Sequence, residues 1–115
     1  MHELSILVEV VKTVENICKE QQADKVAKIV LQVGELSAVV PEFLREYYPV
    51  VILDKPLFEN SALEIETLPG EAACSNCGTV FNVIENKGFC PNCNSFEKEL
   101  LCGKEFFIKE IAVIE

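Results

Sequence analysis

Several things are scarce in this 115-residue chain, and each scarcity closes a class of function. No apolar run approaches the roughly 20 uninterrupted residues of a membrane-spanning helix. The run after Met1 is broken by Glu9 and Lys12, with no basic segment before it as a secretory signal requires, so a cytoplasmic protein is expected. Basic residues are few: 10 Lys and Arg stand against 19 Asp and Glu, for a net charge of −9. Four metal-bound thiolates and one divalent ion would take this to about −11. Such a surface repels phosphate backbones, which argues against nucleic acid and for basic proteins or metal cations as partners. No nucleophile–base pair and no phosphate-cradling glycine loop appear, so no enzyme is expected. Beyond one paired cysteine motif there is no internal repeat and no low-complexity segment.

Cysteine is the exception, with six residues in a chain that otherwise reads as reduced. Cys74-Ser75-Asn76-Cys77 and Cys90-Pro91-Asn92-Cys93 form two Cys-x-x-Cys pairs, followed by Gly78 and Asn94, residues that tolerate the left-handed backbone of a tight turn. Two such turns facing each other make a tetrahedral sulfur cage, closed because protein fills every position. That suits a structural Zn(II) at Cys74, Cys77, Cys90 and Cys93. Two disulfides, a redox Cys-x-x-Cys and a rubredoxin-like iron site use the same residues. The i, i+3 spacing without a secretion signal disfavours the first, and facing copies disfavour the second. Iron carriers are usually little more than their metal site, whereas most of this chain lies outside it. Cys18 and Cys102 read as a buried small hydrophobe and a loop thiol.

The rest of the chain reads as α+β. Leu4 to Glu20 carries Leu4, Leu7, Val8, Val11, Val14 and Cys18 at helical spacing, widened by Ile6, Val10 and Ile17. Lys25 to Val33 alternates, with Ala27, Ile29, Leu31 and Val33 on a core face and Lys28 and Gln32 opposite. Pro41 suits the first position of a second helix, and Pro49 predicts a kink or early end there. Ala62 to Leu68 alternates again, and Lys104–Ile114 suits a last strand. The expected fold is a small three-stranded sheet with two helices, plus a zinc-ribbon-like four-cysteine module inserted before the last strand. Residues 1–69 and 103–115 would form an α/β domain, and 70–102 the zinc-binding module.

The single histidine, His2, offers a second metal site. A free amine at Met1, the His2 amide and an imidazole nitrogen can close two fused chelate rings in one plane. The fourth corner is left to another amide, such as that of Glu3, or to a carboxylate. Ni(II) and Cu(II) prefer square-planar nitrogen ligation. The plain alternative is that Glu3 merely offsets the helix macrodipole and that His2 has no metal role.

Met1-His2-Glu3-Leu4-Ser5, Val33-Gly34-Glu35-Leu36-Ser37, the two cysteine pairs, and the ending Gly103-Lys104-Glu105 with Ile108-Lys109-Glu110-Ile111 together resemble the HypA/HybF family. Its members are nickel metallochaperones for nickel–iron hydrogenase maturation. The resemblance spans essentially the whole chain. It implies transported Ni(II) at His2 with backbone nitrogens of Met1 and Glu3, and structural zinc at the four cysteines. It also implies partnership with a nucleotide-hydrolysing maturation accessory protein and delivery to the hydrogenase large subunit. Some relatives carry histidines beside the knuckles where this chain has Thr79 and Ser95, so ligand exchange between cysteine and histidine is not expected. The sequence leaves monomer or homodimer open, and a zinc-ribbon scaffold or adaptor without a nickel role is the alternative function.

Overall fold

The computed structural model describes residues 2–114. The elements run α1 (His2–Gln21), β1 (Lys25–Gly34), α2 (Pro41–Val51), a 3-10 turn at Pro56–Phe58, β2 (Ala62–Leu68), β3 (Glu71–Cys74), β4 (Val80–Asn82), β5 (Lys98–Cys102) and β6 (Phe106–Ile114). The expected three-stranded sheet is present in the order β2-β1-β6. A second sheet, in the order β4-β3-β5, was not expected from the sequence. The chain divides into two compact units. One comprises Met1–Gln32, Val39–Glu66 and Phe107–Glu115, and the other Val33–Ala38 and Thr67–Phe106.

In the first unit, α1 buries Leu7, Val10, Val11, Val14 and Cys18, the stripe that helical periodicity predicts. Val8 and Ile17, at the margins of that stripe, stay about two-fifths exposed, at 41% and 38%. The helix stops where Gln22 turns left-handed (φ 56°) and the Ala23 N–H bonds the Cys18 carbonyl at 2.9 Å, a closure that satisfies a terminal carbonyl. β1 departs from the expected alternation, because Val26 and Val30 are buried along with Ile29, Leu31 and Val33. The cause is position: β1 is the central strand, shielded by a neighbour on each edge. Further along β1, Gln32 donates to Glu66 at 3.0 Å and Lys109 reaches the same carboxylate at 2.9 Å. These bonds, the glutamine's first, hold Glu66 below its ordinary pKa.

Pro41 opens α2 as expected. The early end at Pro49 is milder than the sequence suggests, because the helix runs on to Val51. Pro49 lies within the last turn, and the Ile52 N–H still reaches the Tyr48 carbonyl at 3.2 Å. Tyr48 is buried and bonds Ser61 at 2.8 Å, while Ser61 donates to the Phe58 carbonyl at 2.6 Å. Burial pushes the Tyr48 phenol up, and the serine partly offsets it. Phe58, fully buried, joins Leu7, Val14, Ile29, Leu31 and Leu44 in the apolar interior.

The second unit is built where Gly34, Gly70 and Gly103 converge. A Cβ on Gly34 would collide with the Gly103 backbone, so only glycine allows that approach. Gly34 N–H bonds Glu105 O at 2.8 Å, Leu36 N–H bonds Gly103 O at 2.7 Å, and Glu35 N–H bonds Leu68 O at 2.8 Å. The Glu35 carboxylate then accepts the Gly70 N–H at 2.7 Å and the Asn82 amide at 3.2 Å. Cys102 corrects another expectation: it is the half-buried last residue of β5 and not a loop thiol.

Candidate metal centre

The four-cysteine cluster grows from two turns of the same design. In the first, Gly78 (φ +80°) returns its N–H to the Cys74 carbonyl at 2.9 Å, and the Cys74 N–H reaches Thr79 O at 2.9 Å. In the second, Asn94 (φ 62°) bonds the Cys90 carbonyl at 2.8 Å, and the Cys90 N–H reaches Ser95 O at 2.9 Å. The left-handed backbone expected after each pair is present in both. Antiparallel β3 and β5 hold the first turn in place, pairing Cys74 with Lys98. Cys74 and Cys90 are buried with Ala72 and Phe81, and Cys77 and Cys93 reach the surface.

All four sulfurs lie within 4.8 Å of one another, with Cys74–Cys93 at 3.5 Å and Cys77–Cys90 at 3.6 Å. Disulfide sulfurs stand about 2.05 Å apart, so these are four separate thiols. A tetrahedral ion with metal–sulfur bonds of about 2.3 Å sets its sulfurs about 3.8 Å apart, close to the spacing found. The donor set therefore fits such an ion.

The electrostatics prepare thiolates. The Asn92 amide, with the Thr79 hydroxyl 3.2 Å away, pulls Cys77 down to about 5. The Cys77 N–H, and after it that of Asn76, lowers Cys74. Cys93 moves the other way. The Asn76 amide and the Ser95 N–H pull it down, but desolvation and the sulfurs of Cys74 and Cys77 outweigh them. Crowded thiolates resist the last ionisation, and a bound cation removes that resistance.

His2, the other predicted ligand, is exposed in the first turn of α1. Met1 lies outside the described residues. Glu3 differs from the simplest expectation. It is the one buried charged residue in the core of the described residues, and its carboxylate accepts the Val40 N–H at 3.1 Å. That bond leads the lowering of its pKa. The carboxylate is thus engaged at the start of α2, where an anion also suits the helix dipole. The first-turn amides of α1 have no acceptor one turn back, so no helical hydrogen bond is lost when they bind something else.

Three residues escaped the sequence reading. Asn76 and Asn92 each donate to sulfur, and Glu35 clamps the base of the second unit. The asparagines had a signal, since they hold the same place in both pairs. Glu35 had none beyond its motif, because its partners lie 35 and 47 residues away.

Known proteins bear on this arrangement. A family model described as HypA, hydrogenase/urease nickel incorporation, metallochaperone, matches residues 1–113. A Geobacter sulfurreducens protein named hydrogenase maturation factor HypA is 36% identical over 113 residues, covering 98% of this chain and 99% of that one. A protein of the same name from Azoarcus sp. (strain BH72) is 34% identical, with 98% of each covered. A solved structure titled as the solution structure of HypA protein superposes with a TM-score of 0.69 at 24% identity, over 99% of this chain and 97% of that one. The solution structure of the nickel metallochaperone HypA from Helicobacter pylori gives 0.66 at 22%, with 97% of each covered. At those identities the two structures speak for the fold alone.

Proposed function

The chain belongs to the HypA family of hydrogenase/urease nickel-incorporation metallochaperones, and from that premise we propose that it carries Ni(II) on its first residues and delivers it during nickel–iron hydrogenase maturation. On this reading residues 70–102 form a zinc module, with Zn(II) held by Cys74, Cys77, Cys90 and Cys93 as a structural ion. The ion ties together a segment whose buried apolar cluster, among the described residues, is the small set Ala72, Cys74, Phe81 and Cys90, with Val83 packed against it. The cargo is bound separately, by an imidazole nitrogen of His2, the His2 amide, the Met1 amine and the Glu3 amide.

The observation that carries the cargo reading is His2 itself: the single imidazole of the chain, exposed at the start of α1. A nickel ion there takes nitrogens from consecutive residues and releases them one at a time to an acceptor. Glu3 contributes its nitrogen and not its carboxylate, which the Val40 N–H already engages. The protein is a carrier without a reaction of its own. Its six free cysteines and net charge of −9 fit a reducing cytoplasm and partners with basic surfaces. We take these partners to be the nucleotide-hydrolysing accessory protein of the maturation system and the hydrogenase large subunit.

Metal analysis of the purified full chain, before and after exposure to nickel, separates the readings. One zinc per chain and one further nickel on exposure supports the carrier. Zinc alone supports a scaffold or adaptor, and a coloured iron protein supports an electron carrier.

A further inference from the structure

Each knuckle places an asparagine two residues after its first cysteine, and each asparagine makes two contacts to sulfur. Asn76 donates its backbone N–H to Cys74 Sγ at 3.4 Å and its side-chain Nδ2 to Cys93 Sγ at 3.5 Å. Asn92 repeats this, backbone to Cys90 Sγ at 3.4 Å and Nδ2 to Cys77 Sγ at 3.5 Å. The backbone bond comes with the turn, and any residue but proline could make it. The carboxamide bonds come only with asparagine, and both cross to the opposite knuckle. Their targets are Cys77 and Cys93, the two cysteines that reach the surface.

That choice of target matters for how an ion leaves. Release from a four-thiolate cage begins with one sulfur swinging away, taken by a proton or by a competing ligand, and an exposed sulfur is the one reached first. An N–H held on that sulfur disperses its charge and makes it a poorer target. The bond also ties the sulfur to the other knuckle, so the two turns cannot separate while both amides hold. We propose that Asn76 and Asn92 are positioning residues that latch the two knuckles across the cage and set how slowly the bound ion is given up. The latch rests on the structural-zinc reading given above.

The test is zinc release from the full-length, zinc-loaded chain into excess chromophoric chelator. Asn76→Ala and Asn92→Ala should each release zinc roughly tenfold faster, the usual effect of removing a group that orients a metal ligand. Asn76→Asp and Asn92→Asp should be faster still, because a carboxylate of the same shape faces a thiolate with no N–H to offer. A residue that only fills space would instead show Asp behaving like Asn. In the Co(II)-loaded chain, losing the N–H should shift the sulfur-to-cobalt charge-transfer band to lower energy, a change that packing alone does not cause. The Ala variants keep both backbone N–H bonds, so their cage can be measured even where an Asp variant loses its metal outright. A native chain that takes neither zinc nor cobalt would sink the cage and the latch together. A native chain that holds zinc, with variants matching it in release rate and band position, would leave the cage standing and overturn the latch.

Discussion

Replacing Cys90 with alanine should take the second unit apart while leaving the first folded. Cys90 is 1% exposed and packs in a small buried cluster with Ala72, Cys74 and Phe81. Fully burying a side chain like Phe81 contributes about 3 kcal/mol at most, and alanine and a partly buried valine add about 1 kcal/mol each. Structural zinc in comparable modules contributes roughly 10–16 kcal/mol of apparent binding free energy. The ion therefore outweighs the apolar cluster at least twofold, and three thiolates hold it far less well than four. The interior of the first unit, with Leu7, Val14, Ile29, Leu31, Leu44 and Phe58, contains none of the four cysteines. Zinc content should fall from one per chain to near zero, and limited proteolysis should cut between residues 67 and 106. The far-UV signal of α1 and α2 should persist. A Cys90→Ala chain that kept one tightly held zinc and native protease resistance there would refute the reasoning.

Three further outcomes follow from the same structure. Glu3 has a lowered pKa in the folded chain, so its contribution is complete above the ordinary carboxylate range and is lost as pH falls through it. Glu3→Gln should therefore flatten the acid-side loss of stability, read by fluorescence of Tyr47 and Tyr48, the chain's two tyrosines, both in α2; a loss as steep as the native chain's would contradict this. Phe58→Ala removes a fully buried ring and should cost about 3–5 kcal/mol in denaturant unfolding, and a cost under about 1 kcal/mol would show the site to be poorly packed. With its net charge of −9 the chain should show no salt-sensitive micromolar binding to DNA or RNA in a filter or anisotropy assay.

What could be read from the sequence was whatever a period or a tight turn writes locally. α1 was legible because its apolar residues recur at helical spacing from Leu4 to Cys18, about four turns. The knuckles were legible because two cysteines, a turn residue and a fixed spacing sit within a few positions of each other. β1 was half legible: alternation found Ile29 and Leu31, but only the strand's central place explains why Val26 and Val30 are buried too. The second sheet escaped because its strands are three to five residues long, too short to show a period, and β4 and β5 are joined only through β3. Phe58 gave no signal, being a lone aromatic after a proline in a 3-10 turn. Glu35 and the glycine contacts at Gly34, Gly70 and Gly103 are long-range, and no local pattern encodes them.

The central claim is that nickel is carried at the first residues. Equilibrium dialysis of nickel against the zinc-loaded chain tests it, comparing the native amino terminus with His2→Ala and with a chain extended by one residue before Met1. The native chain should take one nickel, forming a yellow, diamagnetic complex of the kind planar nitrogen ligation gives. Its uptake should fall as the solution is acidified, because protons compete with the metal for the same nitrogens. Both altered chains should lose specific uptake while keeping one zinc and an unchanged far-UV signal, since neither change touches the cage or the apolar interior. If both altered chains bind one nickel as tightly as the native chain, the nickel site lies elsewhere and the claim is wrong.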